Sequence, residues 1–425
     1  MQKTGLFVLL TLLSFIIVIV INPYGIQQKL FSKSDEITQT SGENEKPGTG
    51  VLPTAKPSLN LAIKETKIED PGSGMNSFLS LITGGGTPIR IAYFGDSMIE
   101  GDLITQTLRK QLQESYGSGG IGFIPITSET AEFRSTIKHS FSSNWQRFTL
   151  LTSKPSMCLY GISGYTFKTP EDSSADEAWV DYTLKDKSSR FVRLFYTLLG
   201  NPGKISYSLN GGDPTEKEIA PASGIGELSI DLNNSGNIKL IFPPQKDLCL
   251  YGVSFENGSG VVVDNFALRG HSGLNLKKID GSTLSSFNSL LGYDLIILHY
   301  GANISDESVE DFGWYESGLT SVIQRLKNGI NGAPVLVISA TDRAYKDDAG
   351  FHSSPVIAKL VRAQKNAAQK TGSAFWNLYS MMGGENSMFA WVSNGLASSD
   401  YVHLSAAGAS KVGYMLYTAL TQKIN

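Results

Sequence analysis

Two short segments near opposite ends of the chain carry residue types suited to acyl transfer: Gly95-Asp96-Ser97 and Asp400-Tyr401-Val402-His403. A serine hydroxyl is a weak nucleophile until a neighbouring base takes its proton. An imidazole is such a base, and a carboxylate three residues before it suffices to orient the ring. Together they read as a serine hydrolase with the chain order Ser, Asp, His. Gly-Asp-Ser alone is a weak signal, because both side chains also cap helices, and the plain reading of Ser97 is an N-cap. Two further segments shift the balance. Gly301-Ala302-Asn303 supplies a side-chain amide, and Gly270-His271-Ser272-Gly273 a flexible backbone N–H. Acyl transfer needs such donors because negative charge builds on the carbonyl oxygen, and losing one typically costs about 3 kcal/mol.

Positioning these groups requires particular elements. Ile89-Arg90-Ile91-Ala92-Tyr93-Phe94 reads as a buried strand and Leu103 to Leu112 as the helix after it, so Ser97 lies on a strand-to-helix turn. Open α/β sheets expose reactive groups there, outside the carboxyl ends of their strands. Leu295–Tyr300 and Pro334–Ser339 read as fully buried parallel strands, with helical patterns over Leu319–Lys327 and Val356–Lys370. Between them the texture changes. From 128 to 262 short alternating runs, such as Phe191–Tyr196 and Ile238–Phe242, are separated by turn signals such as Asn201-Pro202-Gly203, the pattern of an antiparallel sandwich. Cys158–Ser163 is echoed by Cys249–Ser254. Either two matching strands pair and bring the cysteines close, or the similarity is accidental.

Taken together, these residues make the chain similar to the SGNH (GDSL) hydrolase superfamily. Its four signature residues would be Ser97, Gly273, Asn303 and His403, with Asp400 in the Asp-x-x-His block. The resemblance implies Ser97 as nucleophile, His403 as general base and Asp400 as its orienting partner. The Ser97 and Gly273 N–H groups and the Asn303 side chain would form the oxyanion hole, Gly273 being chosen over Gly270. It also implies a flavodoxin-like three-layer α/β fold with a parallel sheet and no cofactor; Asp400 and His403, with no cysteine or histidine cluster to join them, do not make a metal site. Phe375-Trp376-Asn377, Met382-Gly383-Gly384 and Ser398 to Ser405 further resemble bacterial peptidoglycan O-acetylesterases, which carry a β-sandwich similar to a carbohydrate-binding module between the nucleophile and glycine blocks. The expected organisation is an N-terminal signal anchor or signal peptide (1–25), a flexible linker (26–72), the first part of the hydrolase domain (73–127), an inserted β-sandwich (128–262) and the second part of the hydrolase domain (263–425).

A formal charge of −3 argues against a polyanion-binding surface, so no nucleic-acid partner is expected. The apolar run Leu6 to Ile21 after Lys3 predicts membrane attachment through the N-terminus, with the body facing the periplasm or exterior, or secretion after cleavage. The expected partner is an acylated carbohydrate polymer, peptidoglycan among the candidates, and the expected activity is removal of O-acetyl or other short acyl groups. A glycan O-acetyltransferase using the same triad, a lipase or thioesterase, and a glycan-binding protein are the rivals. Other polar residues have plain assignments. His271 reads as structural or surface, His299 as a hydrogen-bonded core histidine. Asp96 reads as an anchor of its turn, and Glu100 and Asp102 as first-turn helix charges. Arg343, after a strand, is an even choice between substrate contact and none.

Overall fold

A computed structural model describes residue 61 and residues 63–422, apart from 86–87, 188 and 348–349. The expected signal segment 1–25 lies outside the described residues. No helix among the described residues is long and apolar enough to cross a membrane.

Five parallel strands form the central sheet, in the order Val261–Ala267, Ile89–Gly95, Leu295–His299, Val335–Ile338 and Ala374–Trp376. Counted along the chain, the spatial order is second, first, third, fourth, fifth, the flavodoxin-like arrangement. The strands are buried and largely apolar on both faces because helices cover both. Ile91 and Tyr93 point into a core shared with Leu108 of the helix Leu103–Tyr116 and with Val412 and Leu416 of the helix Ala406–Thr421. Ala92 and Phe94 point the other way, towards Phe287, Val322 and Leu360 of the helices Gly281–Leu291, Gly313–Gly329 and Ile357–Lys370.

Between the first two parallel strands the chain builds two antiparallel sheets. In one, Leu248–Glu256 pairs with Phe191–Leu198 and with the short strand Gly122–Ile124. In the other, Asn237–Phe242 lies between Ala178–Leu184 and Gly203–Leu209. Their inner faces share one core: Val180, Tyr182 and Leu240 meet Val192, Leu194 and Val253. The fold is that of an SGNH hydrolase interrupted by a β-rich insert. Antiparallel pairing already starts at Gly122 and ends at Glu256, whereas Val261 belongs to the parallel sheet. The end of the expected linker is also packed. Ile68 is buried, Glu69 bridges to Phe375, and Trp376 Nε1 donates to the Thr66 carbonyl (3.0 Å).

Buried ions lock the insert to the sheet. The Arg90 guanidinium donates to Asp264 and to Glu256, each at 2.7 Å, and to the Ser254 hydroxyl, also at 2.7 Å. Arg90 and Asp264 sit on adjacent parallel strands, while Ser254 and Glu256 belong to the insert. Cys158 and Cys249 form a disulfide. The echo is therefore half correct: Cys249–Ser254 lies within a strand, whereas Cys158–Ser163 is an irregular loop carried over it by turns.

Candidate active site

Strand ends gather the residues that sequence alone could only nominate. The first and third parallel strands are neighbours although the second lies on the far side of the first, so the connections leave in opposite directions and open a crevice at their carboxyl ends. Ser97 follows the first strand and Asn303 the third, placing them on either side of that crevice. Asp96, not Ser97, caps the short 3₁₀ turn Ser97–Asp102, since its Oδ1 accepts from Met98 N–H at 3.0 Å. The serine hydroxyl is left free for other partners.

His403 reaches it from the last loop. The Ser97 hydroxyl and His403 Nε2 are 2.9 Å apart, and His403 Nδ1 lies 2.7 Å from Asp400 Oδ2. The carboxylate fixes the tautomer: Nδ1 donates to Asp400, so Nε2 is left to accept from Ser97. Asp400 Oδ1 also accepts the Val402 and His403 N–H groups, each at 3.0 Å. Partial burial opposes its charge, but the bonds from His403 and the two backbone N–H groups win, holding this carboxyl below the usual range. The His403 side chain is 41 % exposed, so solvent reaches the base.

The two remaining segments, around Gly273 and Asn303, lie beside the same crevice end. Gly273 has φ 89°, and a Cβ there would lie 2.9 Å from the Tyr300 ring, so close approach demands glycine at this position. At Gly270 a Cβ would meet only Leu151, at 3.8 Å. Gly273 N–H donates to His271 Nδ1 (3.0 Å), and Asn303 Nδ2 donates to the His271 carbonyl (3.2 Å). His271 is completely buried, not a surface residue, and burial pushes its imidazole down to about 3, so the ring is neutral.

Asp96 does more than anchor its own turn. Its Oδ2 accepts Gly301 N–H (3.2 Å) and Ala302 N–H (3.3 Å), tying the nucleophile turn to the loop of Asn303. Burial pushes its carboxyl up to about 6 against the pull of these N–H donors. His299 is a core residue whose Nδ1 faces the Tyr93 hydroxyl at 3.1 Å. Asp102 differs from expectation: it is buried, pairing with Arg109 at 2.7 Å, because a left-handed backbone (φ 68°) turns it inward and not along the helix axis. Glu100 pairs with Arg269. Arg343 donates to the Ser305 hydroxyl at 3.0 Å, a contact between loops that no local pattern signals.

The fold and this constellation define the chain as having an SGNH-hydrolase architecture with a β-rich domain inserted after the nucleophile helix. The particular likeness is to a solved peptidoglycan O-acetylesterase, with a TM-score of 0.68 and 23 % identity over 83 % of this chain and 97 % of that one. An acetyl xylan esterase (TM-score 0.29, 18 % identity, 37 % of this chain and 80 % of that one) shares much less. So does a family two carbohydrate esterase from Cellvibrio japonicus (TM-score 0.27, 11 % identity, 67 % and 97 %). No protein-family model matches the chain, and no curated protein matches its sequence.

Proposed function

We propose that this protein is a serine esterase that removes O-acetyl, or another short acyl group, from a cell-envelope polysaccharide. The observation that carries the reading is the unbroken relay from the Ser97 hydroxyl through His403 to Asp400, at 2.9 and 2.7 Å. Ser97 Oγ attacks the acyl carbonyl while His403 Nε2 takes its proton. Charge on the tetrahedral oxygen falls to the Ser97 and Gly273 N–H groups and the Asn303 amide, with Gly273 N–H turning from His271 Nδ1 to the substrate oxygen. Collapse breaks the bond to the sugar oxygen, which leaves with the proton returned by His403. Water, deprotonated by the same imidazole, then cleaves the acyl-enzyme and restores Ser97.

Hydrolysis is preferred over transfer to a sugar hydroxyl because His403 is open to solvent, and transfer demands exclusion of water. The acetylated-glycan substrate is supported by likeness in fold to a protein whose solved structure bears the name peptidoglycan O-acetylesterase. The Cys158–Cys249 bridge suits an oxidising compartment, in keeping with an outward-facing body tethered or secreted through the N-terminal apolar run. In this reading the catalytic body is formed by the chain on either side of the insert, with Val261–Ala267 in its sheet, and the inserted domain is the β-rich stretch from Gly122 to Glu256.

The test is acetate release from purified O-acetylated cell wall, beside acetylated xylan and an aryl acetate, with wild type and Ser97→Ala. The expected result is release by wild type and none by the folded variant. Equal release by both would end the proposal. Acetylated oligosaccharide appearing when acceptor sugars are added would move the reading to a transferase.

A further inference from the structure

The turn that carries His403 and Asp400 is braced by a β-hairpin, and we propose that Phe351 and Tyr401 are positioning residues that hold the base in register with Ser97. The inference rests on the esterase reading above. Tyr401 lies between Asp400 and His403 and has φ 58°, a left-handed conformation that a bulky residue keeps only when its surroundings impose it. That one residue lets the chain curl back on itself. Asp400 Oδ1 can then accept the Val402 and His403 N–H groups, leaving Oδ2 for the imidazole at 2.7 Å.

Contacts to the hairpin of Ala344–Asp347 and Gly350–Ser353 impose the conformation. The Tyr401 carbonyl accepts Ala344 N–H at 3.2 Å. Its ring stacks on Phe351, with centroids 4.3 Å apart and planes 28° from parallel, and Phe389 stacks on Phe351 at 5.2 Å. All three rings are half-buried; Tyr401 also packs against the core under the sheet, whereas Phe351 and Phe389 lie outside the apolar clusters, so the stack links the catalytic turn to the hairpin. The hairpin is itself pinned: Ser353 Oγ donates to the buried Asp342 (2.6 Å), and Ser353 N–H to Asn386 Oδ1 (3.0 Å). Just before its first strand, Arg343 donates to the Ser305 hydroxyl, in the loop of Asn303. One hairpin thus touches both the loop of the base and the loop of the oxyanion amide.

Steady-state hydrolysis of an aryl acetate by the full chain tests the brace, with Ser97→Ala alongside. Without the stack the imidazole samples wrong geometries, so Phe351→Ala should lower kcat by about ten-fold or more and leave KM within about two-fold. Phe351→Tyr, which restores the stack, should recover most of that loss. Tyr401→Gly removes the ring and the backbone strain together and should lose kcat similarly. Because the two rings act as one unit, the double variant should be no slower than Tyr401→Gly. The low-field proton resonance of the His403 Nδ1–H bond should broaden or vanish in both single variants. Wild-type kcat in folded Phe351→Ala, or independent losses that multiply in the double variant, would overturn the brace. Should Phe351→Ala not fold, Tyr401→Gly decides alone, and its retaining wild-type kcat would overturn the brace. Turnover surviving in Ser97→Ala would instead remove the esterase reading.

Discussion

Asn303 donates its side-chain amide to the backbone oxygen of His271, 3.2 Å away, while the ring of that histidine accepts Gly273 N–H at 3.0 Å. One buried, uncharged residue therefore holds both non-serine donors of the proposed oxyanion hole. An alanine there removes the ring that Gly273 N–H donates to and leaves a cavity beside the loop, while the carbonyl that accepts from Asn303 stays on the backbone. His271→Ala is expected to lower kcat by about 10- to 100-fold, with little change in KM for a small ester. His271→Asn, which keeps an acceptor near Gly273 N–H, should fall between the two. Kinetics on folded variants check this, and an unchanged kcat in His271→Ala would separate His271 from the donors.

Asp400 fixes the tautomer of His403 through the 2.7 Å bond to Nδ1. Asp400→Asn offers an amide in place of the carboxylate and favours the wrong tautomer. A kcat loss of about 10³- to 10⁴-fold is expected at neutral pH. The side chain is 47 % exposed, so the melting temperature should move little. A kcat within ten-fold of wild type would show that Asp400 does not orient the base.

Asp96 predicts a signed pH effect. Its folded-state carboxyl titrates near 6, against an ordinary value of 3.8. Between those limits the folded protein holds a proton that the unfolded chain releases, so this group adds stability as pH falls from about 6 towards 4. Asp96→Asn cannot take up that proton. The melting temperature of wild type minus that of Asp96→Asn should thus be more positive at pH 4.5 than at pH 7. A constant difference would place the Asp96 carboxyl at its ordinary value.

The Cys158–Cys249 disulfide closes a separation of 91 residues. For a separation of that length, loop-closure entropy sets an upper figure of about 4.6 kcal/mol for its contribution. Cys158→Ala/Cys249→Ala should melt at lower urea concentration and become insensitive to reductant, while turnover of an aryl acetate at 25 °C persists because the triad stands on the parallel sheet. Equal urea midpoints for wild type and the double variant would show that the bridge adds no stability.

Local sequence was informative wherever the cause of structure is local. Continuous apolar runs announce strands covered on both faces, and Ile89–Gly95, Leu295–His299 and Val335–Ile338 lie where those runs are. Helical spacing located Leu103–Tyr116 and Ile357–Lys370, and alternation located the antiparallel insert. The limits of the insert were less legible, since Gly122–Ile124 is too short to carry a period and joins Leu248–Glu256 only by pairing.

Residue identity determined on its own which groups were available: a serine after a buried strand, an Asp-x-x-His turn, an asparagine and a glycine at two other strand ends. Tertiary structure alone decided what they face. Strand order set the crevice between the Ser97 and Asn303 loops, burial made His271 neutral, and a left-handed Tyr401 under an aromatic stack shapes the turn that brings His403 to Ser97. Periodicity reports which face of an element is dry, whereas hydrogen-bond partners hundreds of residues apart arise only when the sheet and its covering helices fix where each loop ends.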